Sequence, residues 1–486
     1  MMKKHLTGSA VPLIITVILM MAIPAHVSAQ NPDRYITIHL RGVYESKISL
    51  LAMSGSRTFK PVTEAPVVKN GETIRISVSK EHLPGECVLR FDYKESETSA
   101  PYPSEKNIFI HEQDLELWVN PKYCNNQDST WFQQGELENS TFLQFSKENA
   151  KQKEKTGLLQ NFLMKYDDTE SDFYRQGITE YEHRRQTYNQ WLKTRSVQDK
   201  ALFVSNLYNF QYIPEISLKG DEKDRIISLI YHYFDGMDFN DPLLIKTSDL
   251  NKWMDNYVNL YGQLSTTTAI RDSLFPVAGR TAIEKARQGH PLVYGWMVDY
   301  FYRGYESNGI EAGIKILEPY LNDPNCLTSK RQEITRRLKG METLVAGSQA
   351  PDISLIDQAG HLFELHKFET PCRYILLLFW SAGCSHCVEM ADNLYPWQQQ
   401  PELQEKMTVL GIGLDETDAD VKAWEQKSGS FSGWKHMRAE DGVRSKVASD
   451  YYVLATPVMV LLDATTRNIV ATPNTLNELL KVIQEN

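Results

Sequence analysis

The passage from Tyr374 to Cys387 constrains this chain more than any other. Tyr374-Ile-Leu-Leu-Leu-Phe-Trp380 is apolar without alternation, the pattern of a short strand buried on both faces. Ser381-Ala382-Gly383 then supplies small residues for a turn. From Cys384 the run Cys-Ser-His-Cys-Val-Glu-Met-Ala-Asp-Asn-Leu394 has no Gly or Pro and carries its apolar residues at helical spacing. This predicts Cys384 at a helix N-terminus and Cys387 one turn inside, on the same side. A thiol at that place is drawn toward thiolate by unpaired backbone N–H groups and the helix dipole. Two thiols so spaced close a small, reversible disulfide. An unperturbed thiol, with a pKa of about 8.5, is only a few per cent ionised at pH 7. Lowering it by about 1.5 units makes it roughly half ionised and corresponds to about 2 kcal/mol, which a helix dipole and a nearby His can supply.

Three further stretches stand in a fixed order around this one. Gly347-Ser-Gln-Ala-Pro-Asp352 and Asp357-Gln-Ala-Gly360 precede it, and Ala455-Thr-Pro-Val-Met-Val-Leu-Leu-Asp463 follows. With Phe379-Trp380 leading into Cys384-Ser-His-Cys387, they make the last 140 residues or so resemble the TlpA-like (AhpC/TSA-related) thioredoxin-like proteins of the bacterial cell envelope. Position makes Cys384 the nucleophile and Cys387 the resolving thiol. The resemblance implies a cis-proline at Pro457, with the Thr456 backbone pairing with a substrate strand. It also implies a His386 that stabilises the thiolate, with Ser385, Trp380 and Glu389 in support. Three positions depart from the family pattern. Leu378 stands where thioredoxins carry a buried acid, and Met390 stands where many TlpA-like members carry Glu, with Glu389 one step away. Gly383 stands where Trp is common, which predicts an open site above Cys384. His386 and Glu389 are therefore the candidates for moving the proton of Cys387.

The implied activity is that of an exported thiol-disulfide oxidoreductase. It exchanges disulfides with envelope proteins, as a reductase, with a membrane-bound protein as electron donor and no cofactor. Three rivals stand beside it. A peroxiredoxin motif needs proline at position 377, which is Leu. A zinc site needs four ligands, and no second Cys-x-x-Cys accompanies Cys384, His386 and Cys387. An envelope binding or assembly factor would use the long leading regions and keep the thioredoxin-like part for docking; the intact cysteine pair argues against it.

At 486 residues the chain predicts two or three domains. Lys3 and Lys4, the apolar run Val11 to Ala25 and Val27-Ser28-Ala29 read as a signal peptide over 1–29; the alternative is an uncleaved N-terminal anchor. The expected location is the periplasm or cell envelope. Residues 30–123 predict a small antiparallel β-sandwich, with strands at Tyr35–Leu40, Lys47–Leu51, Glu72–Val78, Cys87–Tyr93 and Asn107–Val119. Residues 124–345 predict an all-α region, with helices over Phe142–Met164, Glu170–Leu192, Ile226–Tyr233, Leu250–Leu264 and Pro291–Tyr305. In the last of these, Val293, Trp296, Met297, Tyr300 and Phe301 form a stripe expected to be core. Residues 346–486 predict a thioredoxin fold, with strands at Met407–Gly413, Val458–Leu462 and Asn468–Ala471 and helices at Asp418–Gln426 and Thr475–Gln484. The formal charge of −10 gives no basic footprint for nucleic acid. Of six cysteines, Cys87, Cys124, Cys326 and Cys372 are scattered singly. Cys87 and Cys124 are readable as a structural bridge or as buried free thiols.

Overall fold

The computed structural model describes residues 34–54 and 58–485; the expected signal peptide lies outside the described residues. Strands come first. β1 (Arg34–Leu40), β2 (Glu45–Ser54), β3 (Thr58–Lys69), β4 (Thr73–Val78), β5 (Gly85–Lys94), β6 (Tyr102–Ile110), β7 (Leu115–Val119) and β8 (Trp131–Phe132) form two four-stranded sheets, ordered β4-β1-β7-β8 and β3-β2-β5-β6. Alternation explains the sandwich. Ile36, Ile38 and Leu40 of β1 face Ile48 and Leu50 of β2 and Leu89 and Phe91 of β5 in one core. Three details correct the expectation. The run Asn107–Val119 is two strands broken at His111–Asp114, and β8 extends the sheet past residue 123. The pair β1–β7 is parallel, while every other pair in the two sheets is antiparallel.

Helices follow: α1 (Glu138–Lys165), α2 (Asp172–Gln198), α3 (Glu222–His232), α4 (Asp249–Leu264), α5 (Thr268–Arg287), α6 (Pro291–Ser307), α7 (Glu311–Lys315), α8 (Glu318–Leu321) and α9 (Arg331–Thr343). The expected stripe on α6 is core, with Val293, Trp296, Met297, Tyr300 and Phe301 all buried. Ala278, Gly279 and Ala282 on α5 admit it closely, and a Cβ at Gly279 would overlap the Tyr305 hydroxyl that donates to Phe275 O. None of the helices among the described residues is long and apolar enough to cross a membrane.

Buried carboxylates tie the sheets to the helices. Glu86 on β5 accepts from Thr247 Oγ1, Ser248 N and Ser248 Oγ ahead of α4. Glu138, opening α1, accepts from Phe203 N and Val204 N and lies 3.0 Å from Nδ1 of His111, between β6 and β7.

The last part holds a hairpin, β9 (Ser354–Ile356) and β10 (Leu362–Glu364), and a five-stranded sheet. Its elements are β11 (Tyr374–Trp380), α10 (Ser385–Gln398), α11 (Pro401–Gln404), β12 (Met407–Gly413), α12 (Asp418–Ser428), β13 (Lys435–Arg438), α13 (Lys446–Asp450), β14 (Val458–Asp463), β15 (Ile469–Ala471) and α14 (Leu476–Glu485). The strand order is β13-β12-β11-β14-β15, with β12 and β13 parallel to β11, and β14 antiparallel to β11 and β15. This is the thioredoxin fold. Every residue of β11 is buried, as its unbroken apolar run requires. Ile375, Leu377 and Phe379 pack on one face of the sheet, and Leu376, Leu378 and Trp380 on the other with Cys387, Leu394 and Leu479.

Candidate active site

The two cysteines sit where strand gives way to helix. Cys384 is the N-cap of α10, and its sulfur lies 3.2 Å from Cys387 N. The pair is oxidised, with Cα atoms 5.2 Å apart. Cys384 is half-exposed and Cys387 is fully buried. That asymmetry gives an attacking substrate one sulfur to reach and keeps the other for resolution. Ser385 and His386, between them, are exposed on the first turn of the helix.

Opposite the pair, the Thr456–Pro457 peptide bond is cis, as the resemblance implies. Cys384 Sγ lies 3.6 Å from Thr456 O, so in the reduced pair a thiol there has a carbonyl to donate to. A cleft of about 310 Å³ opens beside this contact. His386, Glu389, Met390 and Asn393 on α10 form one wall, the segment Asn474–Asn477 at the start of α14 forms the other, and Pro457 joins them. Both proton candidates, His386 and Glu389, are therefore exposed in the cleft, whereas Cys387 is buried. Trp380 is wholly buried in β11, where its ring packs against Phe431 and His436.

The residues ahead of Cys384 are held by a carboxylate that the sequence patterns do not single out. Asp415, just past β12 and 1% exposed, accepts through Oδ1 from Ser381 Oγ at 2.6 Å, Ala382 N at 2.9 Å and Gly383 N at 3.4 Å. Ser381 O in turn accepts from Cys384 N at 3.3 Å. Burial outweighs these hydrogen bonds and pushes the Asp415 carboxyl above its ordinary range.

Gly383, the position expected to leave the site above Cys384 open, is itself exposed. A Cβ there would lie 2.8 Å from Asp420 Oδ1. Asp420 stands on the first turn of α12, where Thr417 caps the helix through Asp420 N, and its own Oδ2 accepts from Thr417 Oγ1. The room a larger residue would need belongs to that carboxylate. The segment Asn474–Asn477 and the pair Asp415 and Asp420 all escape a motif reading, because they come from loops and helix starts distant in sequence. The one local signal is Thr417-Asp-Ala-Asp420, a helix-capping pattern.

Cys87, Cys124 and Cys326 are buried free thiols, so Cys87 and Cys124 form no bridge; Cys372 is free and half-exposed. Burial, with Glu86 adjacent, pushes the Cys87 thiol up to about 12, which keeps it protonated and inert. Among the described residues no group of three or more His, Cys, Asp and Glu side chains is placed to hold a metal ion.

No curated protein matches the chain. Similar solved structures include a thioredoxin-like protein from Bacteroides caccae, 19% identical over 56% of this chain and 98% of that one, with a TM-score of 0.39. Another is the thioredoxin domain of a thiol-disulfide oxidoreductase from Bacteroides vulgatus, 27% identical over 29% of this chain and 97% of that one, with a TM-score of 0.25. A third is a thiol:disulfide interchange protein from a Bacteroides species, 28% identical over 29% of this chain and 90% of that one, with a TM-score of 0.24. The segment that runs from just ahead of β11 into β15 and carries both cysteines, residues 372–469, matches the family model for thioredoxin-like proteins.

Proposed function

We propose that this chain is an exported, TlpA-like thiol-disulfide oxidoreductase that reduces disulfides in proteins of the cell envelope. The observation that carries the reading is the unequal cysteine pair: half-exposed Cys384 at a helix N-terminus, bonded to buried Cys387 and facing the cis Thr456–Pro457 bond. In the reduced protein, the Cys384 thiolate attacks a substrate disulfide. One substrate sulfur leaves as thiolate and the other stays joined to Cys384. Cys387, having lost its proton, then attacks Cys384 Sγ, the Cys384–Cys387 bond forms and the second substrate thiolate departs. Two electrons have passed to the substrate, and a membrane-bound dithiol protein restores them. The cleft between α10 and α14 holds the substrate chain beside Cys384, with amide side chains at Asn393, Asn474 and Asn477 to meet its backbone.

Titration of the mature protein against dithiothreitol or glutathione buffers, following the pair by thiol labelling, tests this. A two-electron couple near about −270 mV, absent in Cys384→Ser, is expected of a reductase. A potential near about −120 mV would reverse the direction and make the protein an oxidant. Failure to form any reversible Cys384–Cys387 disulfide would remove the redox function altogether.

A further inference from the structure

The exchange chemistry above makes no use of four buried polar side chains that converge on the sheet face carrying Cys387. Met407 and Val409 of β12 pack in the same cluster as Cys387. At the same two-residue period, Gly411, Gly413 and then Asp415 follow on that face. The glycines leave room that is taken by Trp380 from β11, His436 from β13 and Trp424 from α12. A Cβ at Gly411 would lie 2.6 Å from His436 Nδ1 and 3.3 Å from Trp380 Nε1, and one at Gly413 would overlap Trp424 Nε1. Trp380 Nε1, Trp424 Nε1 and Asp415 Oδ2 are buried without a hydrogen-bond partner, and so, apart from the Phe431 main chain near the ring, are both nitrogens of His436. Folded proteins leave few such atoms, and each calls for an explanation. Here five of them line one stretch of β12, and the carboxyl at its end is the one that grips the turn before Cys384.

We propose that Asp415 is a positioning residue for the cysteine pair: Oδ1 fixes the Ser381–Gly383 turn, and Oδ2, buried without a partner, couples its own protonation to the ionisation of the two thiols. The proposal rests on the exchange reading and deepens it. The charged and titratable groups around Asp415 are few. Asp420 faces it from α12 and raises its carboxyl further. Arg438, closing β13, donates through Nη1 to the Asp415 main-chain carbonyl at 3.2 Å. His436, on the neighbouring strand, is pushed down to about 4 by burial, so it is neutral at pH 7 and adds no charge to that face of the sheet. A buried carboxylate beside the turn disfavours a thiolate, and a neutral carboxyl does not. When ionised, Asp415 therefore adds to Asp420 in holding the thiols in check by charge, where His386 and the helix dipole favour ionisation.

The test is the pH dependence of iodoacetamide alkylation of Cys384 in the reduced full-length protein, compared among wild type, Asp415→Asn and Asp420→Asn. Asn at 415 keeps an oxygen for the turn and removes the ionisable group. Its profile is expected to move to lower pH by about one unit, which is about tenfold more thiolate below the midpoint. That shift should survive a rise in ionic strength because the group is buried, while the Asp420→Asn shift shrinks. A profile of Asp415→Asn that superimposes on wild type overturns the coupling, as does an Asp415→Asn shift that salt abolishes. Those results leave a working redox pair. Loss of the reversible disulfide in the wild-type protein overturns the exchange reading and this proposal with it.

Discussion

At the residue scale, glycines and one histidine carry most of the information about how the site is built. Gly411 lies directly beneath His436 and Trp380, so Gly411→Ala overpacks a filled interior. A loss of about 1–3 kcal/mol is expected, read as an earlier transition in urea followed by Trp fluorescence. His436 makes a prediction in pH. Its folded pKa, about 4, lies below the ordinary value of 6.5, because burial disfavours the imidazolium. The unfolded chain therefore binds the proton first, and stability present above about pH 6.5 is lost as pH falls toward 4. The slope in that window is at most about 1.4 kcal/mol per pH unit. Urea unfolding at a series of pH values should show it, and His436→Gln should flatten it. Neither effect is readable from sequence. Gly411, Gly413 and His436 stand in no motif, and only the parallel β11–β12–β13 register brings them under Trp380. Cys384, Cys387 and Pro457 are legible for the opposite reason: the constraint on each lies within a few neighbouring residues.

At the element scale, burial decides what the sequence reveals. β11 is unmistakable because both of its faces are covered. β3 is invisible because it is the outer strand of its sheet and carries Pro61 and Pro66, residues that an edge strand tolerates. The parallel pairing of β1 with β7 is equally hidden, since it depends on the crossover through β2 to β6 and not on either strand's pattern. α5 escapes notice because Pro276 and Gly279 lie inside it, and Gly279 serves its close approach to α6. The hairpin β9–β10 is a case where a local turn has a distant anchor. Asp357 Oδ1 accepts from Ala359 N and His361 N, and Oδ2 accepts from Lys435 Nζ at 2.7 Å, pinning the turn to β13. The Lys435 hydrogen bond, with that from His361 N next, draws the carboxyl down to about 2. A folded pKa below the unfolded value contributes stability that is complete above about pH 4 and is lost as pH falls through 2. Asp357→Asn should therefore be less stable than wild type at pH 6 and indistinguishable from it near pH 2. Equal stabilities at both pH values would mean that the Lys435 contact contributes nothing.

At the scale of the whole molecule, three regions keep separate cores yet share polar clamps. The sandwich core, the helical core around α4, α5 and α6, and the two faces of the thioredoxin-like sheet are distinct clusters. Between sandwich and helices one joint is Glu86, which holds the Thr247–Ser248 corner by three hydrogen bonds and is itself gripped by Asn107 Nδ2, and another is Phe109 of β6, packed on Phe203, Val204 and Leu207. Between helices and thioredoxin-like sheet, Gly340 of α9 lies against the Tyr452 side chain, and Gly347 N donates to Ile469 O of β15. Glu86→Ala leaves buried donors unpaired at the first joint, at about 1–3 kcal/mol for each group stranded there. The joint to the thioredoxin-like sheet and the cysteine site are untouched. Calorimetry of the variant should therefore show the sandwich unfolding ahead of the rest, and the Cys384–Cys387 couple should titrate as in wild type. A couple that shifts with Glu86→Ala would show that the leading regions act on the cysteine pair. They would then belong to the catalytic unit and not to a separate docking arm.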